Sequence, residues 1–129
     1  MTARLPTAPL DASVAERRLR LRRGRVSEAL AAAVPMAKGY RIRGRRVKTR
    51  AGEIDIIALK GKRLAFVEVK RRATREDAEA AVSARQAARI RRASDLWLAH
   101  RPRYHGHVFA YDLILLVPGR LPRHIPGAL

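Results

Sequence analysis

The chain has 129 residues, 47% of them hydrophobic, with 29 Lys plus Arg against 11 Asp plus Glu and a net charge of +18. That length builds one modest core rather than two, and the apolar share is too high for a disordered basic tail. The absence of cysteine excludes a disulfide framework, a cysteine-ligated zinc site and thiol catalysis, while apolar runs such as residues 29–34 and 113–117 are far shorter than the roughly 18 residues of a membrane helix.

Residues 1–24 read as a flexible basic arm. Met1 to Leu10 carries Arg4, Pro6 and Pro9 without an apolar run, so no signal peptide and a cytoplasmic location are expected. Glu16-Arg17-Arg18-Leu19-Arg20-Leu21-Arg22-Arg23-Gly24 is too charged for a core and suits contact with phosphates. Ser27 is placed to cap a helix through Glu28-Ala29-Leu30-Ala31-Ala32-Ala33-Val34, which Pro35 kinks or ends and Lys38-Gly39 closes. Tyr40-Arg41-Ile42-Arg43 alternates apolar and basic, predicting a strand with one buried face; Gly44 bends it and Val47-Lys48-Thr49-Arg50 continues it.

Two β-branched segments follow, Glu53-Ile54-Asp55-Ile56-Ile57-Ala58-Leu59 and Arg63-Leu64-Ala65-Phe66-Val67-Glu68-Val69-Lys70, joined by a glycine turn and predicting a hairpin. Thr74 with Asp77 resembles an N-cap arrangement for a helix running to about Leu98. Along it Arg85, Arg89 and Arg92 fall at i, i+4 and i+7, a basic stripe on one face. Pro102 ends the connection, residues 107–117 form another apolar strand, and residues 118–129 read as a Pro/Gly-rich tail. The order α-β-β-β-α-β over residues 25–117 predicts an α/β domain with a mixed central sheet flanked by helices.

Charge points to a partner class. A surplus of +18 repels itself unless a polyanion screens it, and nucleic acids are the obvious polyanions. An Arg-rich composition bias is the plain alternative. A membrane surface fits less well, since no helix pairs a basic face with a Trp/Phe/Leu face. Residues 1–50 hold 14 bases and 3 acids, residues 51–129 hold 15 and 8, so most acids lie in the half containing the hairpin.

Pairing parity fixes which side chains meet there. With Gly61-Lys62 as a two-residue type II′ turn, Leu59 faces Leu64, Ile57 faces Phe66, Asp55 faces Glu68 and Glu53 faces Lys70. One face is then wholly apolar (Ile54, Ile56, Ala58, Ala65, Val67, Val69), and the other gathers Glu53, Asp55, Glu68 and Lys70 at the end away from the turn. Two facing carboxylates repel unless neutralised. Lys70 offsets part of this, and Mg²⁺ (or Mn²⁺), which takes one or two protein carboxylates plus waters and phosphate oxygens, offsets more. Metal-assisted phosphodiester hydrolysis is the expectation that joins these carboxylates to a phosphate-binding surface. Asp55 and Glu68 would be metal ligands and Lys70 would act on the attacking water and the developing charge. The plain alternative is an exposed salt bridge of little energetic weight.

The runs Gly52-Glu53-Ile54-Asp55-Ile56-Ile57-Ala58 and Phe66-Val67-Glu68-Val69-Lys70-Arg71-Arg72 closely resemble the YraN-like uncharacterised family. That family looks like a branch of the PD-(D/E)XK nuclease superfamily, related in fold to archaeal Holliday-junction resolvases. The resemblance implies a restriction-endonuclease-like core, with Asp55 as the motif aspartate and Glu68 and Lys70 as its E-x-K. It also implies Glu28 as a first-helix glutamate and third carboxylate, and Gln86, in Arg85-Gln86, as a helix residue reaching the site. Tyr111-Asp112 resembles the Phe-Asp of the family's last strand. Arg43-Gly44-Arg45-Arg46 lacks an Asn often seen there, and Thr74-Arg75-Glu76-Asp77 replaces a Phe-Gly.

The reading is therefore a Mg²⁺-dependent, endonuclease-like protein acting on nucleic acid, DNA favoured over RNA and branched or structured DNA included. Arg45, Arg46, Lys48, Arg71, Arg72, Arg85, Arg89 and Arg92 are the candidate phosphate contacts. A homodimer stays open because resolvase-like relatives dimerise. The rivals are a non-catalytic nucleic-acid-binding module on the same fold, and an accessory subunit for an acidic protein or the ribosome. Asp112, in an apolar strand, is expected to be buried with an Arg, Trp97 to be core, and the four histidines to lie in loops, with His105 and His107 the pair to watch.

Overall fold

A computed structural model describes residues 14–16, 18, 28–72 and 83–129. The chain divides into two units, Met1–Leu30 and Ala31–Leu129. Of the expected basic arm, residues 14–16 and 18 are helical; Ser27 and the rest of the arm lie outside the described residues. Residues 28–37 are helical (α1), and Pro35 is accommodated within this helix. Gly39, with φ 92, lies just beyond its end, as a glycine stop requires.

The sheet has five strands in the order β1-β2-β3-β4-β5. They are β1 (Arg41–Thr49), β2 (Gly52–Lys60), β3 (Arg63–Arg71), β4 (Val108–Leu116) and β5 (Arg123–Ile125). Neighbours pair antiparallel except β3 and β4, which are parallel. A parallel pair needs a crossover, and the chain between them contains helix α2 (Ala84–Ala99) and a 3-10 turn (Pro102–Tyr104). The strand order fits a restriction-endonuclease-like core. It is the predicted α/β fold, with one strand more.

The β2–β3 turn has Gly61 at φ 58, while Arg46 alone among described non-glycine residues has a positive φ; Lys62 is thus outside that region, as a type II′ turn demands. The resulting pairs Leu59↔Leu64, Ile57↔Phe66 and Ile56↔Val67 are those the apolar pattern dictates. One sheet face buries Ile56, Ala58, Ala65 and Val67 with Ala31 and Ala32 of α1. The other buries Ile57, Leu64 and Phe66 against Ile90, Ala93, Trp97 and Leu98 of α2, so Trp97 is core. Its ring meets Phe66 edge-on at 5.9 Å and stacks on Tyr104 at 5.3 Å.

Three expectations are corrected. The helix predicted from Thr74 begins instead at Ala84: Ser83 is extended (φ −118, ψ 161) and accepts the Gln86 amide, ending any continuous helix at that point. The Thr74–Asp77 cap, Ala78, Ala81 and Val82 lie outside the described residues. The C-terminal segment adds strand β5, pairing Leu113↔Ile125 and Leu115↔Arg123. Finally, Ile54 packs on the α2 face rather than with Ile56. The parity breaks at Asp55: β1 and β2 pair at Arg45↔Ile56 and Val47↔Ile54 but not between, where Arg46 has φ 52. A one-residue bulge at Arg43 also shifts the β1 register beside Gly44.

Candidate functional site: a carboxylate–lysine–arginine centre

The β2–β3 ladder ends at Ile56↔Val67. Just beyond it Asp55 Oδ2 accepts the Val69 amide at 2.7 Å, so a side chain satisfies the β3 backbone where the strands part. Glu68 and Lys70 follow Leu64 and Phe66 at a period of two and share their face, toward α2. Both are buried, 7% and 8% exposed. Lys70 Nζ lies 3.3 Å from Glu68 Oε1. Arg89 of α2 reaches the same carboxylate, with Nη2 at 3.3 Å from Oε1 and 3.4 Å from Oε2, and its Nη1 donates to the Glu53 carbonyl at 3.3 Å. Gly52 makes room for this: a Cβ there would stand 2.8 Å from Arg89 Nη1.

Asp55 is largely withdrawn from solvent in this centre. Burial pushes its carboxyl up from 3.8 to about 6; the Val69 hydrogen bond opposes this, the Glu68 and Glu53 charges add to it, and Lys70 lowers it. Asp55 thus feels Glu68 and Lys70 together, although the predicted ladder pairs Asp55–Glu68 and Glu53–Lys70 do not form, the β2–β3 pairing ending at Ile56↔Val67. The donors are hard carboxylate oxygens, matched to a small divalent cation that keeps most of its waters. Among the described residues no group of three or more His, Cys, Asp and Glu could hold a metal, so the ligands on offer are the pair Asp55 and Glu68.

The remaining candidates separate. Arg89 does not belong to an exposed stripe with Arg85 and Arg92: those two are exposed, whereas Arg89 is half-buried on Glu68. Gln86, one turn earlier on the same helix face, has a buried Oε1 without a hydrogen-bond partner. Glu28 is half-buried in the first unit. Arg45, Arg46, Lys48, Arg71 and Arg72 are exposed.

Asp112 is fully buried, as expected, and its partner is Arg63, whose Nη1 and Nη2 donate at 2.8 and 2.9 Å. Burial alone would raise its pKa, but hydrogen bonds from His124, Arg63 and the Gly127 amide hold it well below the usual carboxylate range. His124 lies on β5, not in a loop, and joins Asp112 Oδ2 at 2.8 Å. His105 contacts the Leu98 carbonyl at 2.8 Å, and His107 Nδ1 is buried without a partner. Sequence reasoning placed Arg89 among the phosphate contacts rather than beside Glu68, and His124 in a loop rather than on Asp112. Arg89 carried a signal in its i, i+3, i+7 relation to Gln86 and Ala93 of the buried helix face; His124 carried none, since its contact spans 12 residues through strand pairing.

Fold and centre together define an α/β protein of restriction-endonuclease-like strand order, with a buried acid–lysine cluster where the central hairpin opens. The family model described as uncharacterised protein family UPF0102 matches residues 27–116. A UPF0102 protein of Rhizobium etli is 52% identical over 92% of this chain and 96% of its own length. One of Maricaulis maris is 49% identical over 81% and 87%, and one of Caulobacter vibrioides 51% identical over 81% and 84%. The chain belongs to the UPF0102 family, the YraN-like family of the sequence resemblance. No helix among the described residues is long and apolar enough to cross a membrane.

Proposed function

We propose that the protein is a metal-dependent phosphodiester hydrolase acting on nucleic acid, with DNA the favoured substrate. The observation that carries this is the convergence of Asp55, Glu68 and Lys70 at one end of the hairpin, where the Asp55 carboxyl is largely withdrawn from solvent. Asp55 and Glu68 would hold Mg²⁺ or Mn²⁺, which when bound polarises a phosphoryl oxygen and lowers the pKa of water. Lys70, fixed beside Glu68, orients the attacking water and offsets charge developing on the phosphate. Arg89 holds Glu68 in place from α2, and Gln86 offers a further oxygen from the same helix face. Glu28 is proposed as an added carboxylate on the resemblance alone. The exposed arginines Arg71, Arg72, Arg85 and Arg92, with Arg45, Arg46 and Lys48 of β1, would contact the backbone.

The test is incubation of purified protein with duplex, single-stranded and branched DNA in Mg²⁺ or Mn²⁺. Metal-dependent cleavage abolished by Asp55→Ala and by Lys70→Ala is expected; no turnover on any substrate, or turnover indifferent to both variants, overturns the proposal. A second reading, a binding module that does not cut, is favoured by one observation: Glu68 already has two cationic partners in Lys70 and Arg89. It requires salt-sensitive binding without a metal requirement.

A further inference from the structure

A second basic feature lies beside β1 and, Lys48 apart, is built from residues not used in the proposal above. Between β1 and the C-terminal end of α2 is an open trough of about 520 Å³. Lys48, Thr49 and Arg50 line one wall, Trp97, His100 and Arg101 the other, and no carboxylate of the described residues lines it. Lys48 and Arg50 are exposed and make no side-chain hydrogen bond or ion pair among the described residues. Arg101 is held in position: its Nη1 donates to the Trp97 carbonyl at 2.9 Å and its guanidinium lies 4.4 Å over the indole. The Thr49 hydroxyl is committed to its own turn, bonding the Gly52 carbonyl and the Ala51 amide. The trough therefore offers cations rather than mixed hydrogen-bonding groups.

We propose that this trough is a binding site for the phosphodiester backbone of a nucleic acid strand. Three permanent cations around one opening repel each other, and a chain of phosphates relieves that repulsion while releasing counterions. Base reading is not built in. One face of Trp97 is covered by Arg101, its ring stacks on Tyr104, and only 7% of the residue is exposed, leaving no free stacking platform. The location also suits a strand that continues to the carboxylate centre. Lys48 pairs with Glu53 across the β1–β2 ladder, and Arg89 also bonds the Glu53 carbonyl. The choice of nucleic acid rests on the proposed function; the binding does not require cleavage.

Trp97 is the chain's one tryptophan, so its fluorescence reports on the trough directly. In EDTA, a labelled oligothymidylate would be titrated by anisotropy and indole fluorescence against wild type, Lys48→Met/Arg50→Met, Arg101→Met, and Arg120→Met. Arg120 is exposed beyond β4 and lies outside the trough, so its variant controls for charge. The double variant is expected to bind about tenfold more weakly at 0.1 M salt and to lose about 1.4 from the slope of log K against log salt, two single-strand contacts' worth. Arg101→Met should weaken binding and abolish the ligand-dependent fluorescence change. Trough variants that match Arg120→Met in affinity and slope overturn the proposal, as does a strong preference between oligothymidylate and oligoadenylate. Inorganic phosphate that displaces the strand at matched phosphate concentration would assign the site to free phosphate instead and overturn the backbone reading. Cleavage by wild type in Mg²⁺ is scored separately, so that failure of trough binding and failure of hydrolysis are distinguishable outcomes.

Discussion

Replacing Asp55 by Asn should make the protein more stable at neutral pH. The carboxyl is desolvated beside Glu68 and Glu53, and its pKa rises from 3.8 to about 6. Holding the ionised form in the folded chain therefore costs about 3 kcal/mol. Because the folded value is the higher one, the fold binds this proton more tightly than the unfolded chain does. Stability from Asp55 is full below pH 3.8, falls as pH rises, and reaches its floor above about 6. Asn keeps an oxygen for the Val69 amide and removes the charge. In EDTA at pH 8 the variant should gain about 2–3 kcal/mol, a Tm higher by about 8 °C for a chain of this size. At pH 4 the gain should shrink to about 0.5 kcal/mol. Urea denaturation of both proteins at the two pH values measures this. Equal stability at pH 8, or a gain of the same size at pH 4, would refute the account of a desolvated aspartate.

Asp112→Ala should cost about 3–5 kcal/mol in urea denaturation, because it strands the Arg63 guanidinium and frees β5 from the His124 and Gly127 contacts. A loss under 1 kcal/mol would show that the network is not what anchors β5. Gly52→Ala should destabilise by about 1–3 kcal/mol, since Gly52 has φ 136 and a Cβ would press on Arg89; a Gly52→Ala, Arg89→Ala double variant measured in the same cycle should show a coupling above 0.5 kcal/mol.

The hairpin was legible because the pattern of Ile56, Ala58, Ala65 and Val67 repeats at two and leaves one sensible register, and that register carried Glu68 and Lys70 to a common face. The break at Asp55 was not legible. It depends on Arg46 entering the left-handed region, which an arginine rarely does and no local pattern announces. That break moves Ile54 to the α2 face and turns the Asp55 carboxylate onto the Val69 amide. The pairing of Asp112 with an arginine followed from placing a charge in an apolar strand; the identity of Arg63 required the parallel β3–β4 register, with Arg63 opposite Val108. Arg89 was misplaced for a simple reason: counting basic residues at helical spacing finds a stripe, but only the neighbouring apolar positions Ile90 and Ala93 reveal which way that stripe is turned.

The charges sort into two fields that act on different ligands. With every group ionised, Glu53, Asp55 and Glu68 outnumber Lys70 and Arg89, so the centre attracts a cation in a chain whose net charge is +18. The trough attracts polyanions through Lys48 and Arg50, exposed cations that salt screens, although Lys48 stands opposite Glu53 across the β1–β2 ladder. Salt should therefore separate them. Raising KCl to about 1 M should largely abolish strand binding at Lys48, Arg50 and Arg101, through counterion competition. Buried charges are screened far less, so the pH-dependent gain of Asp55→Asn should persist in the same buffer. If salt erases that gain, the Asp55 carboxyl is solvated rather than buried, and its claim on a metal ion goes with it.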